Sequence, residues 1–180
     1  DNRGNNGEDL FIEERIDRYF LELYSRHVHP VVETYAYCLL RNHFHLLVRV
    51  KSENEIPKAP SQYFANLFNA YAKAINKAYA RTGALFERPF QRIRVTDEAY
   101  FAQLVVYIHF NPVRHGFVEE PGEWSFSSYD ALRTTKPTRL RRDVVLDWFG
   151  GQKEFASAHE VDLSDLDHLD LSGLRDLTGL

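Results

Sequence analysis

Apolar residues at Leu10, Phe11, Ile12, Ile16, Tyr19, Phe20 and Leu23 recur at three- and four-residue intervals, which predicts an amphipathic helix from about Glu8 to Arg26. The preceding "NRGNNGED" is turn chemistry. After His29-Pro30, "VVETYAYCLL" and "HFHLLVRV" predict two β segments joined by a tight turn near Arg41-Asn42, hence a hairpin. The polar "KSENEIPKAP", with two prolines, stops the second strand. Ser61 is the expected N-cap of a second helix that carries Phe64, Leu67, Phe68, Tyr71, Ile75 and Tyr79 along one side and is closed by Gly83. "LFERPFQRIRVT" reads as an extended, arginine-rich strand. Thr96 or Asp97 then caps a third helix, "DEAYFAQLVVYIHF", which Pro112 is expected to end or kink at Asn111. A turn-rich stretch, a short helix in "DVVLDWFGG" and an acidic tail complete the pattern.

Helix, hairpin, helix, strand, helix predicts an α+β domain of ferredoxin-like type, an antiparallel sheet packed with helices. With 180 residues the chain fits one domain over 1–150 and a tail over 151–180. No uninterrupted apolar stretch approaches about 18 residues and nothing at the start resembles a secretory signal, so a cytoplasmic protein is expected. No methionine occurs, even at position 1, so further N-terminal structure is expected before Asp1. The single cysteine, Cys38, lies in an apolar run and reads as a small buried hydrophobe.

The net charge of −4 argues against nucleic acid as a partner, but its distribution does not. From Glu154 to Leu180 there are seven acids and one base, whereas Arg133 to Arg142 holds five bases and no acid, and Arg81, Arg88, Arg92 and Arg94 fall close together. Such patches follow a phosphate backbone even on an acidic protein, although surface arginines are also ordinary solvated groups. The acidic tail itself invites a self-inhibitory reading, in which it lies across a basic groove.

In a strand, His43 and His45 stand on one face with Phe44 and Leu46 turned to the other, an arrangement that supplies two imidazoles to a divalent metal. The pair also reads as two polar surface residues. On the third helix Tyr107 and Asn111, four residues apart, share a face, so an Asn111 oxygen would join the histidines while Tyr107 projects beside the metal. That set permits attack of a tyrosine oxygen on a phosphate and a covalent phosphotyrosine. From periodicity alone, Tyr107 equally reads as a core residue. His109 and His115 are rival ligands, but His109 lies about 200° around the helix from Tyr107.

"YCLLRNHFHLLV" together with "YIHFNPVRHGFV" resembles the single-tyrosine HUH transposases, most closely their REP-associated branch. "NRGNNGEDLF", "GALFERPFQRIRV" and "GEWSFSSYDAL" follow the family's order, and the resemblance runs from about residue 2 to about 150. It implies that His43 and His45 bind Mg²⁺ or Mn²⁺ with Asn111 as third ligand, and that Tyr107 is the nucleophile. The implied activity is cleavage and rejoining of single-stranded DNA beside hairpins of palindromic repeats, through a 5′-phosphotyrosine, by a bacterial, nucleoid-associated monomer or homodimer. Gln103 stands four residues before Tyr107, as fits the single-tyrosine type, whereas Leu40-Arg41 replace a frequent Met-Pro and the family's first strand is largely absent. Arg88, Arg92 and Arg94 are the expected phosphate contacts, with Arg3 and Arg114 as further DNA-binding candidates. Trp124, Phe126 and Tyr129 either stack bases or close the core around the third helix. Two other readings stay open, a DNA-hairpin-binding protein with little catalysis and a metal-dependent hydrolase completed by His109 or His115.

Overall fold

The computed structural model describes residues 1–52, 54–95 and 99–161. Its elements are β1 (Asn2–Arg3), α1 (Glu14–His27), β2 (Val32–Leu40), β3 (His43–Val50), α2 (Pro60–Ala78), α3 (Ala99–Arg114), α4 (Tyr129–Arg133), α5 (Arg142–Phe149) and α6 (Gln152–Ser157), with single 3-10 turns at Asn5–Gly7, His29–Val31 and Pro121–Glu123. Among the described residues the sheet has three strands in the order β1-β3-β2. β1 runs antiparallel to β3, with Asn2 opposite Phe44 and Arg3 opposite His43. The class is α+β, as the pattern predicts. None of the described helices is long and apolar enough to cross a membrane.

The chain divides into two compact units, one of Asp1–Thr34 with Leu39–Phe90, the other of Tyr35–Cys38 with the described residues from Gln91 onward. In the first, α1 packs on α2 and the core is largely aromatic. Phe20 lies 5.0 Å from Phe44 and 5.1 Å from Tyr71 between ring centroids, and Phe68 lies 5.0 Å from Phe86. Fully burying each such ring stabilises the fold by about 1.5–3 kcal/mol. The Tyr71 hydroxyl, also inside, donates to the Leu10 carbonyl at 2.6 Å.

That bond belongs to a set that displaces the start of α1. The helix begins at Glu14, not near Glu8, because the Leu10 and Phe11 N–H groups both donate to the Arg41 carbonyl, at 2.8 and 2.9 Å, and hold this stretch against the hairpin turn. Nor is "NRGNNGED" only a turn, since Asn2 and Arg3 pair with β3. Glycine is required at position 4, where a Cβ would lie 1.8 Å from the Glu8 carbonyl oxygen. α2 starts with Pro60 at its first turn, where a missing N–H costs nothing, so Ser61 is already helical; Tyr79 caps its end, four residues before Gly83.

Asp17, on α1, is 6 % exposed, and this burial raises its carboxyl to about 6 from an ordinary 3.8, with the charge of Glu14 adding to the effect. The folded state therefore holds a proton that the unfolded chain releases between pH 4 and 6. Asp17 contributes its stability below pH 4 and loses it as pH rises through about 6. Asp17→Asn is expected to raise Tm at pH 7 and to flatten the decline in Tm between pH 4 and 6, as thermal melts across that range would show.

In the second unit, Val106 and Phe110 of α3 pack with Val113, Phe149, Ala158 and Val161. Trp148 of α5 sits between Tyr35 and Phe101, at 4.8 and 4.7 Å. α3 does not end at Asn111. It runs through Pro112 to Arg114, because a proline in the last turn removes a single backbone bond and the His115 N–H still donates to the Asn111 carbonyl. The strand expected in "LFERPFQRIRVT" reduces, over its described residues, to a bridge between Gly4 and Phe86. Pro89 has no N–H for a ladder, and residues 91–94 are exposed. Within the stretch expected to be a tail, α6 is packed in the second unit with Phe155 fully buried and His159 6 % exposed. Thr96 and Asp97, the expected caps of α3, and the acidic residues from Asp162 onward lie outside the described residues.

Candidate active site

β3 places His43 and His45 side by side, as strand periodicity demands. Their ring centroids are 5.1 Å apart with planes at 88°, and the residues are 5 % and 6 % exposed. Phe44, on the other face, is 1 % exposed and packs on Phe20. The simple inside-outside alternation fails beyond it, because Leu46 is only half-buried while Leu47, on the histidines' own face, is buried. The pair is thus an interior feature and not two exposed polar residues.

The His43 ring is oriented from its Nδ1 side. His43 Nδ1 lies 2.8 Å from Asn42 Oδ1, and since a side-chain carbonyl only accepts, the proton sits on Nδ1. His45 Nδ1 lies 3.7 Å from a carboxylate oxygen of Asp1. The Nε2 atoms of both are buried. An imidazole whose Nδ1–H is held by an oxygen, as in His43, presents Nε2 as its basic nitrogen, the orientation usual for a metal-ligating histidine. The donor set therefore fits a divalent cation as far as it goes. Among the described residues no group of three or more His, Cys, Asp and Glu side chains is placed to hold a metal ion. Arg3, opposite His43 in an antiparallel ladder, shares its face of the sheet.

In the second unit, α3 carries Tyr107 and Asn111 on one face, 5 % and 1 % exposed. The Asn111 amide donates through Nδ2 to the Tyr107 carbonyl at 2.8 Å. This bond fixes the amide and leaves Oδ1 as its accepting end, the end a hard cation takes. The Arg114 guanidinium lies over the Tyr107 ring, 5.6 Å from its centroid. Arg114 therefore stands beside the candidate nucleophile. His109 has both ring nitrogens engaged in hydrogen bonds, at 2.9 Å to His159 and 2.8 Å to Ser128, so it is not a ligand and the hydrolase completed by it loses its metal site.

The expected phosphate contacts are spread over both units. Arg88 lies in the first and lines a cleft of about 640 Å³ with Phe68, Phe86 and Phe90. Arg92 and Arg94 lie exposed in the second. Of the aromatic candidates, Tyr129 is a core residue against Phe155 and His159, at 6.1 and 5.0 Å. Trp124 is not. It continues a stack of near-parallel rings, with Phe117 at 5.5 Å from Trp124 and His115 at 6.0 Å from Phe117, and Phe117 is 43 % exposed. Nothing in the local pattern marks Phe117, which follows a glycine in a polar loop. Asn42 has a faint signal, an amide immediately before the first histidine.

The chain is 28 % identical over 107 residues to a protein of Haemophilus influenzae named among the REP-associated tyrosine transposases; the match takes in 56 % of this chain and 61 % of that protein. The chain thus spans about three fifths of the length of the curated relative it matches. Its fold matches the solved structure of a REP-associated tyrosine transposase bound to a REP hairpin, with a TM-score of 0.57 and 18 % identity over 72 % of this chain and 73 % of that one. No protein-family model matches the chain.

Proposed function

We propose that this chain, a relative of the REP-associated tyrosine transposases in sequence and in fold, cleaves and rejoins single-stranded DNA beside hairpins of palindromic repeats through a 5′-phosphotyrosine. The observation that carries the reading is the interior His43–His45 pair, side by side on one strand face with both Nε2 atoms buried and the His43 ring oriented through its Nδ1–H to Asn42. His43, His45 and the Asn111 oxygen would hold Mg²⁺ or Mn²⁺. When bound, the ion neutralises charge on the scissile phosphate and polarises it toward attack.

The protein's own part starts with Tyr107. Its oxygen attacks phosphorus, the new oxygen–phosphorus bond forms as the bond to the 3′ oxygen breaks, the phenol proton passes to solvent, and the 3′ oxygen departs as a hydroxyl. In rejoining, a 3′ hydroxyl attacks the phosphotyrosine and Tyr107 leaves. One phosphodiester-like bond is exchanged for another in each direction, so no external energy source is required. Arg114, over the tyrosine ring, supplies positive charge where the phosphate arrives, and Arg3 supplies it on the histidines' face of the sheet. Arg88, Arg92 and Arg94 hold more distant phosphates.

The stack His115–Phe117–Trp124 carries an exposed ring, Phe117, that would pack against an unpaired base, and base–aromatic stacking is worth about 1–3 kcal/mol. Phe117→Ala is accordingly expected to weaken binding of hairpins with single-stranded flanks by about 5- to 150-fold, and to leave binding of a blunt hairpin unchanged in the same titration.

The test is to incubate the protein with labelled hairpin DNA and Mg²⁺ or Mn²⁺ and to resolve the products on a denaturing gel. A covalent adduct that a chelator abolishes supports the reading. Tight hairpin binding with no adduct for any flanking sequence would make the protein a binding module, and cleavage without an adduct would make water the nucleophile.

A further inference from the structure

Five residues with no part in the proposed chemistry form one largely buried hydrogen-bond chain in the second unit. His109 on α3 and Ser128 just before α4 are completely buried, and His159, just after α6, is nearly so. The Tyr37 N–H in β2 donates to Ser128 Oγ at 2.9 Å. Ser128 Oγ lies 2.8 Å from His109 Nε2, His109 Nδ1 lies 2.9 Å from His159 Nε2, and His159 Nδ1 lies 2.8 Å from the Phe155 carbonyl.

With both rings neutral, the carbonyl end determines every proton along the chain. A carbonyl only accepts, so His159 carries its proton on Nδ1 and its Nε2 accepts. His109 must then donate from Nδ1 and accept at Nε2, which takes the Ser128 hydroxyl proton, and Ser128 in turn accepts from the Tyr37 N–H. The longer approach of Ser128 Oγ to the Tyr37 carbonyl, 3.2 Å, receives no proton in this arrangement. The sequence closes with both imidazoles neutral, each donating from one ring nitrogen and accepting at the other. Bonds that all run one way reinforce one another.

His109 is two residues from both Tyr107 and Asn111, so it projects from the back of the helix face they share. The apolar packing of Val106 and Phe110 holds α3 in place without specifying its rotation, because hydrophobic contact is non-directional. Rotating a helix by about 20° carries a tyrosine oxygen roughly 3 Å, counting a backbone radius of about 2.3 Å and the length of the side chain. A misplacement of about 1 Å at a reacting centre costs about 100-fold in rate.

We propose that Ser128, His109 and His159 are positioning residues that set the rotation of the nucleophile helix, so that the segment Gln152–His159 is part of the strand-transfer machinery and not a tail. The inference rests on Tyr107 being the nucleophile. Its experiment uses the full chain, with single-turnover adduct formation at saturating hairpin DNA, hairpin affinity, and nitrogen NMR of the His109 ring. The expected wild-type ring is neutral with its proton on Nδ1. His159→Ala is expected to slow adduct formation about 10- to 100-fold with hairpin Kd changed by less than about 3-fold. His159→Gln, whose side-chain oxygen can accept from His109, is expected to restore most of the rate. Ser128→Ala removes one link with a smaller truncation and is judged by the same criteria if His159→Ala does not fold.

A His109 proton on Nε2, or a charged ring, overturns the hydrogen-bond chain. A wild-type rate in both truncations, or rate and affinity falling together without rescue, overturns positioning. If the wild-type protein forms no adduct, the nucleophile assignment and the positioning role fail together, while the NMR result still judges the hydrogen-bond chain by itself.

Discussion

Tyr107→Phe is expected to abolish the covalent protein–DNA adduct, a loss on the order of 10³-fold or more, while leaving the fold and the hairpin affinity near those of the wild type. The contrast follows from where the ring sits. At 5 % exposure, with the Arg114 guanidinium 5.6 Å from its centroid, the tyrosine contributes packing and a cation–π contact that phenylalanine retains. Only the oxygen is lost. Thermal melting and hairpin titration should therefore place the variant within about 1 kcal/mol of the parent, the ordinary scale of one hydrogen bond, while the denaturing gel shows no shifted band. An adduct of undiminished yield would move the nucleophile to another side chain. Retained cleavage without an adduct would assign the attack to water.

The parts of the site that could be read along the chain are those set by local periodicity. The alternation in "HFHLLV" places two imidazoles on one face whatever surrounds them, and the four-residue step from Tyr107 to Asn111 does the same on a helix. Contacts between distant residues were not legible. α1 begins late because Leu10 and Phe11 bond to a carbonyl some thirty residues on, a competition that no helical pattern records. Arginine and aromatic alternation suggested a strand before α3, but a strand needs a partner with matching donors, and among the described residues the pairing there reduces to the bridge between Gly4 and Phe86. His159 stands fifty residues from its partner His109 in a region whose acidic composition reads as solvated tail. The same composition hides Phe155, one apolar ring among charges, which is fully buried.

His43→Ala is expected to remove most Mn²⁺ binding, read by electron paramagnetic resonance of the free ion, and with it the adduct. Asn42→Ala is expected to lower the same affinity by about 10- to 100-fold, the usual cost of losing an outer-shell partner. The two substitutions act on different features of one ring. Alanine at 43 deletes the proposed ligand nitrogen, whereas alanine at 42 leaves the imidazole but removes the oxygen 2.8 Å from Nδ1 that fixes its tautomer and direction. Without that oxygen the neutral ring can carry its proton on Nε2, and the fraction that does so cannot bind a cation there. Asn42→Asp is the informative third variant. A carboxylate keeps the acceptor and adds charge, so affinity should recover to the wild-type value or exceed it. If Asn42→Ala binds Mn²⁺ as the parent does while His43→Ala does not, the ring is oriented by its packing alone. If neither substitution alters Mn²⁺ binding, the histidine pair is not the metal site, and the cation dependence of the adduct would have to come from the DNA.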